Sequence, residues 1–157
     1  MGRLDSAAAL RHVLMMRPTL ELLADAPSAD QRDQLLKLLL DFNGRYTGHI
    51  VERPDLGILL RHPDTAEIVG GLYASDEYNW LFIKYLVVPD ALRGQGLGRA
   101  LMTEAERVAR ERGYLGIFLD TFDFQARPFY LKLGFEQFGE LEGNADTPRR
   151  FFLKKVL

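Results

Sequence analysis

Short apolar runs, separated by polar turns, fill the chain after residue 55 and predict a sheet. Each run is rich in β-branched and aromatic residues and is bounded by glycine, proline, asparagine or aspartate, which is typical of strands. We predict strands over residues 56–61, 67–74, 80–88, 114–121, 135–141 and 149–156. Gly70 and Gly71, inside the second run, indicate a bulge or a close approach of two backbones.

A stretch with helical periodicity separates the third run from the fourth. Its apolar positions recur at intervals of three and four, which predicts a helix over residues 96–112 that ends at Gly113. The periodic residues are Leu97, Leu101, Ala105 and Val108. Strand, helix and strand in this order predict a right-handed crossover, and therefore one parallel pair in a mixed, mostly antiparallel sheet. We therefore assign the chain to the α/β (α+β) class.

The first part of the chain is less regular. Ser28 is a good helix N-cap with Gln31 at the capping-box position, and Asn43 followed by Gly44 predicts the end of that helix. The apolar face of this helix consists of Leu35, Leu36, Leu38, Leu39 and Phe42. Residues 19–23 fit either a strand or a helix.

The stretch over residues 85–99 carries the clearest chemistry. Pro89 cannot donate to a sheet ladder, so the third strand ends there and a glycine-rich turn leads into the helix. The glycines of this turn are Gly94, Gly96 and Gly98. A helix N-terminus has backbone N–H groups without intrahelical partners, and glycines let a ligand approach them closely. This arrangement predicts a phosphate or pyrophosphate site, with Arg93 adding positive charge at its mouth.

The order of residues in this turn excludes two common nucleotide loops. A P-loop needs lysine and then serine or threonine where Arg99 and Ala100 stand. A dinucleotide fingerprint needs a third glycine, and either register places Arg99 or Leu101 there. What fits is Arg-x-x-Gly-x-Gly over residues 93–98. This motif resembles the acyl-CoA pyrophosphate loop of the GCN5-related N-acetyltransferases; the alternative is a turn that only connects strand to helix.

A second stretch resembles the same family. The sequence Phe-Tyr-Leu-Lys-Leu-Gly-Phe-Glu occupies residues 129–136, and in that family an aromatic-tyrosine pair on a short helix precedes Gly-Phe and a strand. We predict this helix over residues 125–133, ending at Gly134. The resemblance covers residues 56–157 and implies a single N-acetyltransferase domain over residues 1–157, with residues 1–10 expected to be mobile.

The resemblance also implies where the cosubstrate binds. Two central parallel strands would splay apart, flanked by helices, and acetyl-CoA would enter the V between them. The implied cosubstrate-binding residues are Leu86, Val87 and Val88 through their backbone, and Arg93, Gly94, Gln95, Gly96, Leu97, Gly98 and Arg99 in the loop. Many relatives carry an asparagine where this chain has Asp123, so Gln125 would supply the amide contact to pantetheine instead.

Tyr130 matches the tyrosine that protonates the departing CoA thiolate in the family. The implied reaction is a direct attack of a substrate amine on the thioester. A phenol has a pKa of about 10 and the leaving thiol one of about 8.5, so a positioned tyrosine can donate its proton as charge develops on sulfur. The alternative is an aromatic core residue at a helix end.

The general base is open at this point. Glu77, in the turn before the central strand, and Asp120, at the end of the strand beside the cosubstrate, are the candidate carboxylates, and a water chain is the third possibility. Both also fit ordinary turn or capping roles. Arg149 and Arg150 on the last strand fit either a solvated edge or a contact with an acidic group of the acceptor.

The composition argues against several kinds of site and partner. The chain has 157 residues, a net charge of −2, no cysteine and only three histidines, far apart in sequence. These numbers predict no disulfide, no metal site and no nucleic-acid partner. No apolar run is long enough to suggest a membrane span, and the N-terminus does not resemble a signal peptide, so we expect a cytoplasmic protein.

The acceptor is the least determined part. We expect a primary amine on a small molecule or on a protein, and a homodimer is compatible with the C-terminal edge strands. A competing hypothesis from another class is a binding module that senses acyl-CoA without turnover. Such a module needs the loop but not Tyr130.

Overall fold

The computed structural model describes residues 18–47 and 53–157. The chain divides into two units, residues 1–49 and residues 50–157. The expected mobility of residues 1–10 concerns a segment outside the described residues. That the whole chain forms one domain stays a prediction.

The described part of the first unit contains one helix, α1 (Ala29–Thr47). The predicted capping box is confirmed, because the Ser28 amide donates to Gln31 Oε1 at 2.8 Å and the Gln31 amide donates to Ser28 Oγ at 3.2 Å. Residues 19–23 form neither a strand nor a helix, so both alternatives were wrong.

The end of α1 also differs from the prediction. The helix continues through Gly44, since a glycine inside a helix costs only about 1 kcal/mol relative to alanine. The Thr47 hydroxyl donates to the Asn43 carbonyl at 3.0 Å and so bonds the last turn. The predicted apolar face is exposed rather than buried, because residues 18–47 include no second element that could cover it.

The second unit is a six-stranded sheet. Its strands are β1 (Leu56–Arg61), β2 (Ile68–Glu77), β3 (Trp80–Val87), β4 (Gly116–Phe122), β5 (Glu136–Leu141) and β6 (Arg150–Val156). They lie in the order β1-β2-β3-β4-β6-β5, and β3 and β4 are the one parallel pair among these strands. The mixed sheet with a central parallel pair is therefore confirmed.

Two helices of this unit follow β3 and β4. The helix α2 (Leu97–Glu111) ends before Gly113, whose φ of 71° suits the predicted helix stop. The short helix α3 (Arg127–Lys132) carries Tyr130. On its inner side α2 buries Leu101, Met102, Ala105 and Ala109, which form one core with the buried strand residues Leu81, Ile83, Ile117, Leu119 and Leu153.

The opposite face of the sheet is lined with rings. We call it the aromatic face, and its members are Trp80, Phe82, Phe118, Phe122, Phe138 and Phe152. Side chains alternate along each strand, so these rings point away from the side that the buried residues occupy. Phe82 and Phe118 stack with ring centroids 4.6 Å apart across the parallel pair.

The β2–β3 hairpin is tighter than the predicted turn. Asp76 and Glu77 belong to β2, and only Tyr78 and Asn79 form the turn. Both turn residues have positive φ, 50° and 71°, which is the geometry that matches the twist of a two-residue hairpin. The predicted close approach at Gly71 is confirmed, because a Cβ there would collide with the backbone of β1.

The parallel strands separate at one irregular position. In the β2–β3 pairing Ala74 faces Ile83 and Tyr73 faces Tyr85, so Lys84 is an extra residue and forms a bulge. The pairing of β3 with β4 stops at the same level, at Ile83 and Leu119. Beyond it β3 pairs with β2 alone and β4 with β6 alone. The V between the two strands therefore opens at Lys84.

Candidate active site

The glycine loop lies where β3 leaves the sheet. Pro89 caps a single 3₁₀ turn (Asp90–Leu92), and α2 begins at Leu97 with Gly96 as its N-cap. No acidic residue stands in the first turn of α2. The N–H groups of that turn have no intrahelical acceptors and carry the positive end of the helix dipole. The loop can therefore hold an anion on its backbone.

The three glycines of the loop serve different needs. Gly94 and Gly96 have φ values of 76° and 78°, and a Cβ on either would meet nothing within 4 Å. They are needed for backbone conformation, and they leave open space above the amides. A Cβ on Gly98 would instead lie 3.2 Å from the Phe129 ring. Gly98 therefore allows α2 to pack closely on the residue next to Tyr130.

Arg93 does not extend freely into the mouth of the loop. Its Nη1 pairs with Asp90 Oδ1 at 2.9 Å, and its Nε donates to the Val88 carbonyl at 3.3 Å. Both partners are exposed, so the ion pair contributes little to stability and can be exchanged for a ligand phosphate at small cost. Gln95 in the loop and Arg99 in the first turn of α2 are also exposed. The backbone of Leu86, Val87 and Val88 borders the V.

Tyr130 lies inside the core at the end of α3. It is 8% exposed, and its ring packs edge-on against Phe129 and Phe135, with centroids 5.0 and 6.0 Å away. Burial, and to a smaller extent the negative charge of Asp120, raises the pKa of Tyr130 to about 12. The phenol is therefore fully protonated at neutral pH.

Asp120 is the first residue of β4 beyond the last parallel pair, so it stands at the opening of the V. Its side chain is on the aromatic face and accepts a hydrogen bond from Arg150 Nε at 2.7 Å. Asp120 is 16% exposed and Arg150 is 40% exposed. The carboxylate raises the pKa of Arg150 further above its ordinary value, so the guanidinium stays charged.

Glu77 is at the other end of β3. It faces Trp80 across the hairpin and accepts a hydrogen bond from Ser75 Oγ at 3.0 Å. Trp80 lies three residues before Ile83, or about 10 Å along the strand, on the closed side of the parallel pair. The structure therefore brings Asp120 to the opening of the V and does not bring Glu77 there.

Gln125 and Asp123 shape the turn between β4 and α3. Gln125 Oε1 accepts hydrogen bonds from the Thr121 hydroxyl at 3.1 Å and the Phe122 amide at 2.9 Å, so the side-chain amide nitrogen is the part left for a ligand. Asp123 accepts from the Arg149 amide at 3.2 Å and ties this turn to β6. An open cavity of about 300 Å³ lies beside it, lined also by Gly143, Asn144, Thr147 and Phe151.

Comparison with known proteins decides the family. A profile of the Acetyltransferase (GNAT) family matches residues 16–135, well over half of the chain. The chain belongs to this family. The resemblance seen in the two motifs is thus confirmed, and the glycine loop and the segment up to Phe135 both lie within the matched GNAT region.

Relatives of known sequence and structure agree with GNAT membership. Acetyltransferase Atu2258 of Agrobacterium fabrum is 34% identical over 119 residues, which are 76% of this chain and 85% of that protein. Blasticidin-S acetyltransferase of Streptomyces morookaense is 40% identical over 73 residues, 46% of this chain and 54% of that protein. A solved protein of Agrobacterium tumefaciens superposes with a TM-score of 0.81 at 31% identity, covering 88% of this chain and all of that one.

Three features of this GNAT site could not be found by motif. The bulge at Lys84 cannot be recognised from the residue pattern, because one lysine in an apolar run equally fits an ordinary solvent-facing strand position. The contact of Gly98 with Phe129 joins residues from both motifs, and the Asp120–Arg150 pair joins strands distant in sequence. In the described ranges no group of three metal-ligating side chains occurs, and none of the helices found there is long and apolar enough to span a membrane.

Proposed function

We propose that this GNAT protein transfers the acetyl group of acetyl-CoA to a primary amine by direct attack. The observation that carries the proposal is the opening of the V at Lys84, with the glycine loop at the end of one strand and Asp120 on the other. Bound acetyl-CoA would supply the thioester that the amine attacks. The residues around the V would bind and orient acetyl-CoA. They would also donate one proton to the CoA sulfur and accept one from the arriving ammonium.

The loop fits the pyrophosphate of CoA. Gly94 and Gly96 leave the space above the first-turn amides of α2 open, so those N–H groups would donate to the phosphates. The backbone of Leu86, Val87 and Val88 has no partner on the β4 side. This strand edge would accept the pantetheine arm as an additional strand does, and would hold the thioester carbonyl.

Tyr130 would act as the general acid. Its proton would pass to the CoA sulfur as the carbon–sulfur bond breaks, which avoids a free thiolate in a partly buried site. A pKa of about 12 keeps the proton on oxygen until negative charge develops nearby. The packing of Phe129 against Gly98 supports this role, because it sets the position of the tyrosine helix against the loop that binds CoA.

Asp120 would accept the proton that the arriving ammonium must lose, directly or through a water molecule. Its support is location, since it is the carboxylate at the opening of the V. Glu77 is the weaker candidate because it sits at the closed end of the pair. We further propose a small-molecule or protein amine as acceptor and a cytoplasmic location; the acceptor named in the Blasticidin-S relative is also a small molecule.

Two measurements test this function. The first is a calorimetric titration of the protein with acetyl-CoA, and the second is an assay of CoA thiol release in the presence of each amine of a panel. We expect binding, and release that depends on an amine. Binding without release on any amine would favour an acyl-CoA sensor. Absence of binding would mean that the loop is only a connection, and the proposal would fail.

A further inference from the structure

Arg150 is a cation that the proposed reaction leaves unexplained. Its guanidinium carbon lies 5.4 Å from the Phe122 ring centroid and 5.5 Å from that of Phe152. Its Nε donates to Asp120 at 2.7 Å. Two rings and a carboxylate therefore hold the guanidinium in one orientation, so little side-chain entropy remains to be lost when it binds a ligand.

Most of the donors of this guanidinium are still available. An arginine has five N–H donors, and the bond from Nε uses one of them. Among the described residues the structure gives Arg150 no other hydrogen bond. The side chain is 40% exposed. Its two terminal nitrogens are thus a preformed, accessible fork, the geometry that binds carboxylates through two parallel hydrogen bonds.

The guanidinium is placed on the acceptor side of the V. Asp120, its partner, stands at the opening and faces away from α2. Across the opening on the same face, Tyr85 is 65% exposed and stacks on Tyr73 with centroids 5.8 Å apart. An amine that reaches the thioester from this face would pass between the tyrosines and Arg150.

We propose that Arg150 binds a carboxylate of the acceptor, and that the acceptor carries this carboxylate close to its amino group, as a free α-amino acid does. The inference rests on the proposed function. The Asp120–Arg150 pair presents a negative and a positive group side by side, which complements an ammonium and a carboxylate on one carbon. The carboxylate would meet the terminal nitrogens, and the ammonium would meet Asp120.

The test compares each acid with its neutral counterpart. Glycine, phenylalanine and glutamate, each beside its α-carboxamide, are titrated calorimetrically into the protein with CoA and without it. At a pH low enough to keep both amines protonated, the amide keeps the ammonium group and lacks the carboxylate charge that Arg150 would bind. We expect at least one amino acid to bind about tenfold or more tightly than its amide, the usual scale for a hydrogen-bonded charge.

Variants then assign the preference to one residue. Arg150→Gln should bring the ratio of the affinities for acid and amide to about one. Arg150→Lys keeps the charge but not the two parallel donors, so it should retain part of the preference for the acid. Arg149→Gln is the matched control, because its neighbouring guanidinium pairs with Glu140 at 3.2 Å instead. A merely structural role of Arg150 in holding Asp120 would lower kcat for acids and amides alike and leave the ratio unchanged.

The outcomes separate this inference from the function beneath it. Equal affinity of the wild-type protein for every acid and amide, or an unchanged ratio in Arg150→Gln, would overturn it. Weaker CoA binding in Arg150→Gln without a change in ratio would also overturn it, since the guanidinium would then serve a CoA phosphate. An acid preference in a protein that binds no CoA would overturn the proposed function and support the carboxylate site.

Discussion

The two sides of the V are built from different material. On the β3 side the groups that border the V are backbone amides and carbonyls, presented by a glycine turn and by a strand edge that β4 does not pair with. On the β4 side they are side chains, Asp120 and Arg150, brought together from two strands. A backbone surface suits the invariant CoA, whereas a side-chain surface can vary with the acceptor.

The largest expected effect concerns Tyr130, the proposed general acid, which belongs to neither side of the V. Tyr130→Phe keeps the ring that packs on Phe129 and Phe135 but removes the proton, so turnover should fall by ~10²-fold or more with acetyl-CoA affinity unchanged. Steady-state thiol release and calorimetry measure the two quantities. Tyr114→Phe is the matched control, because Tyr114 is also buried but stands just before β4, at the closed end of the parallel pair, and should not affect turnover. Unchanged turnover in Tyr130→Phe would end the acid role.

A second change probes the side-chain half alone. Asp120→Asn should lower kcat by ~10²-fold and remove the limb in which the rate rises with pH, because an amide cannot take the proton of the ammonium. Glu77→Gln, on the closed side of the parallel pair, should keep that limb. pH–rate profiles of both variants decide, and retention of the limb in both would leave only a water chain as the base.

A third change probes the backbone half. Gly96→Ala and Gly113→Ala place a methyl group at opposite ends of α2, both at positive φ and both in open space. Each should lower the free energy of unfolding by about 1–2 kcal/mol through the left-handed strain. Only Gly96→Ala should weaken acetyl-CoA binding, by about tenfold, because only Gly96 orients the first-turn amides. Equal affinities in calorimetry would show that the loop backbone does not bind CoA.

The last prediction concerns stability at high pH and not activity. The pKa of Tyr130 is about 12 in the folded protein and about 10 in the unfolded chain. Its contribution is therefore fully present below pH 10 and is lost as the pH rises from 10 towards 12, by about 2–3 kcal/mol in all. Urea unfolding of wild type and Tyr130→Phe across this range should show the wild-type protein losing more stability. Parallel curves would mean that the phenol is not held in a buried, charge-disfavouring site.

The same contrast explains what the sequence could predict. The glycine loop, the tyrosine helix and the parallel pair are local patterns, so residues such as Gly96 and Tyr130 could be placed from the chain alone. Glu77 and Asp120 could not be ranked, because their distance from the V depends on strand register. The sequence left two interpretations of Arg150, a solvated edge residue or a contact with the acceptor. It could not decide between them because the partner Asp120 is thirty residues away in sequence and adjacent only in the sheet.

The opening of the V coincides with a single extra residue in β3, Lys84. Deleting this one residue would leave Ile83 opposite Ala74 and Tyr85 opposite Tyr73, and would restore regular pairing between β2 and β3. Tyr85 would then follow Ile83 directly, so residues 85–87 would keep their present faces of the sheet, and β3 would lose the bulge at which it separates from β4. One inserted residue therefore separates an open cleft from a regularly paired strand. The length of β3 thus constrains the shape of the cleft more strictly than the identity of most residues in β3.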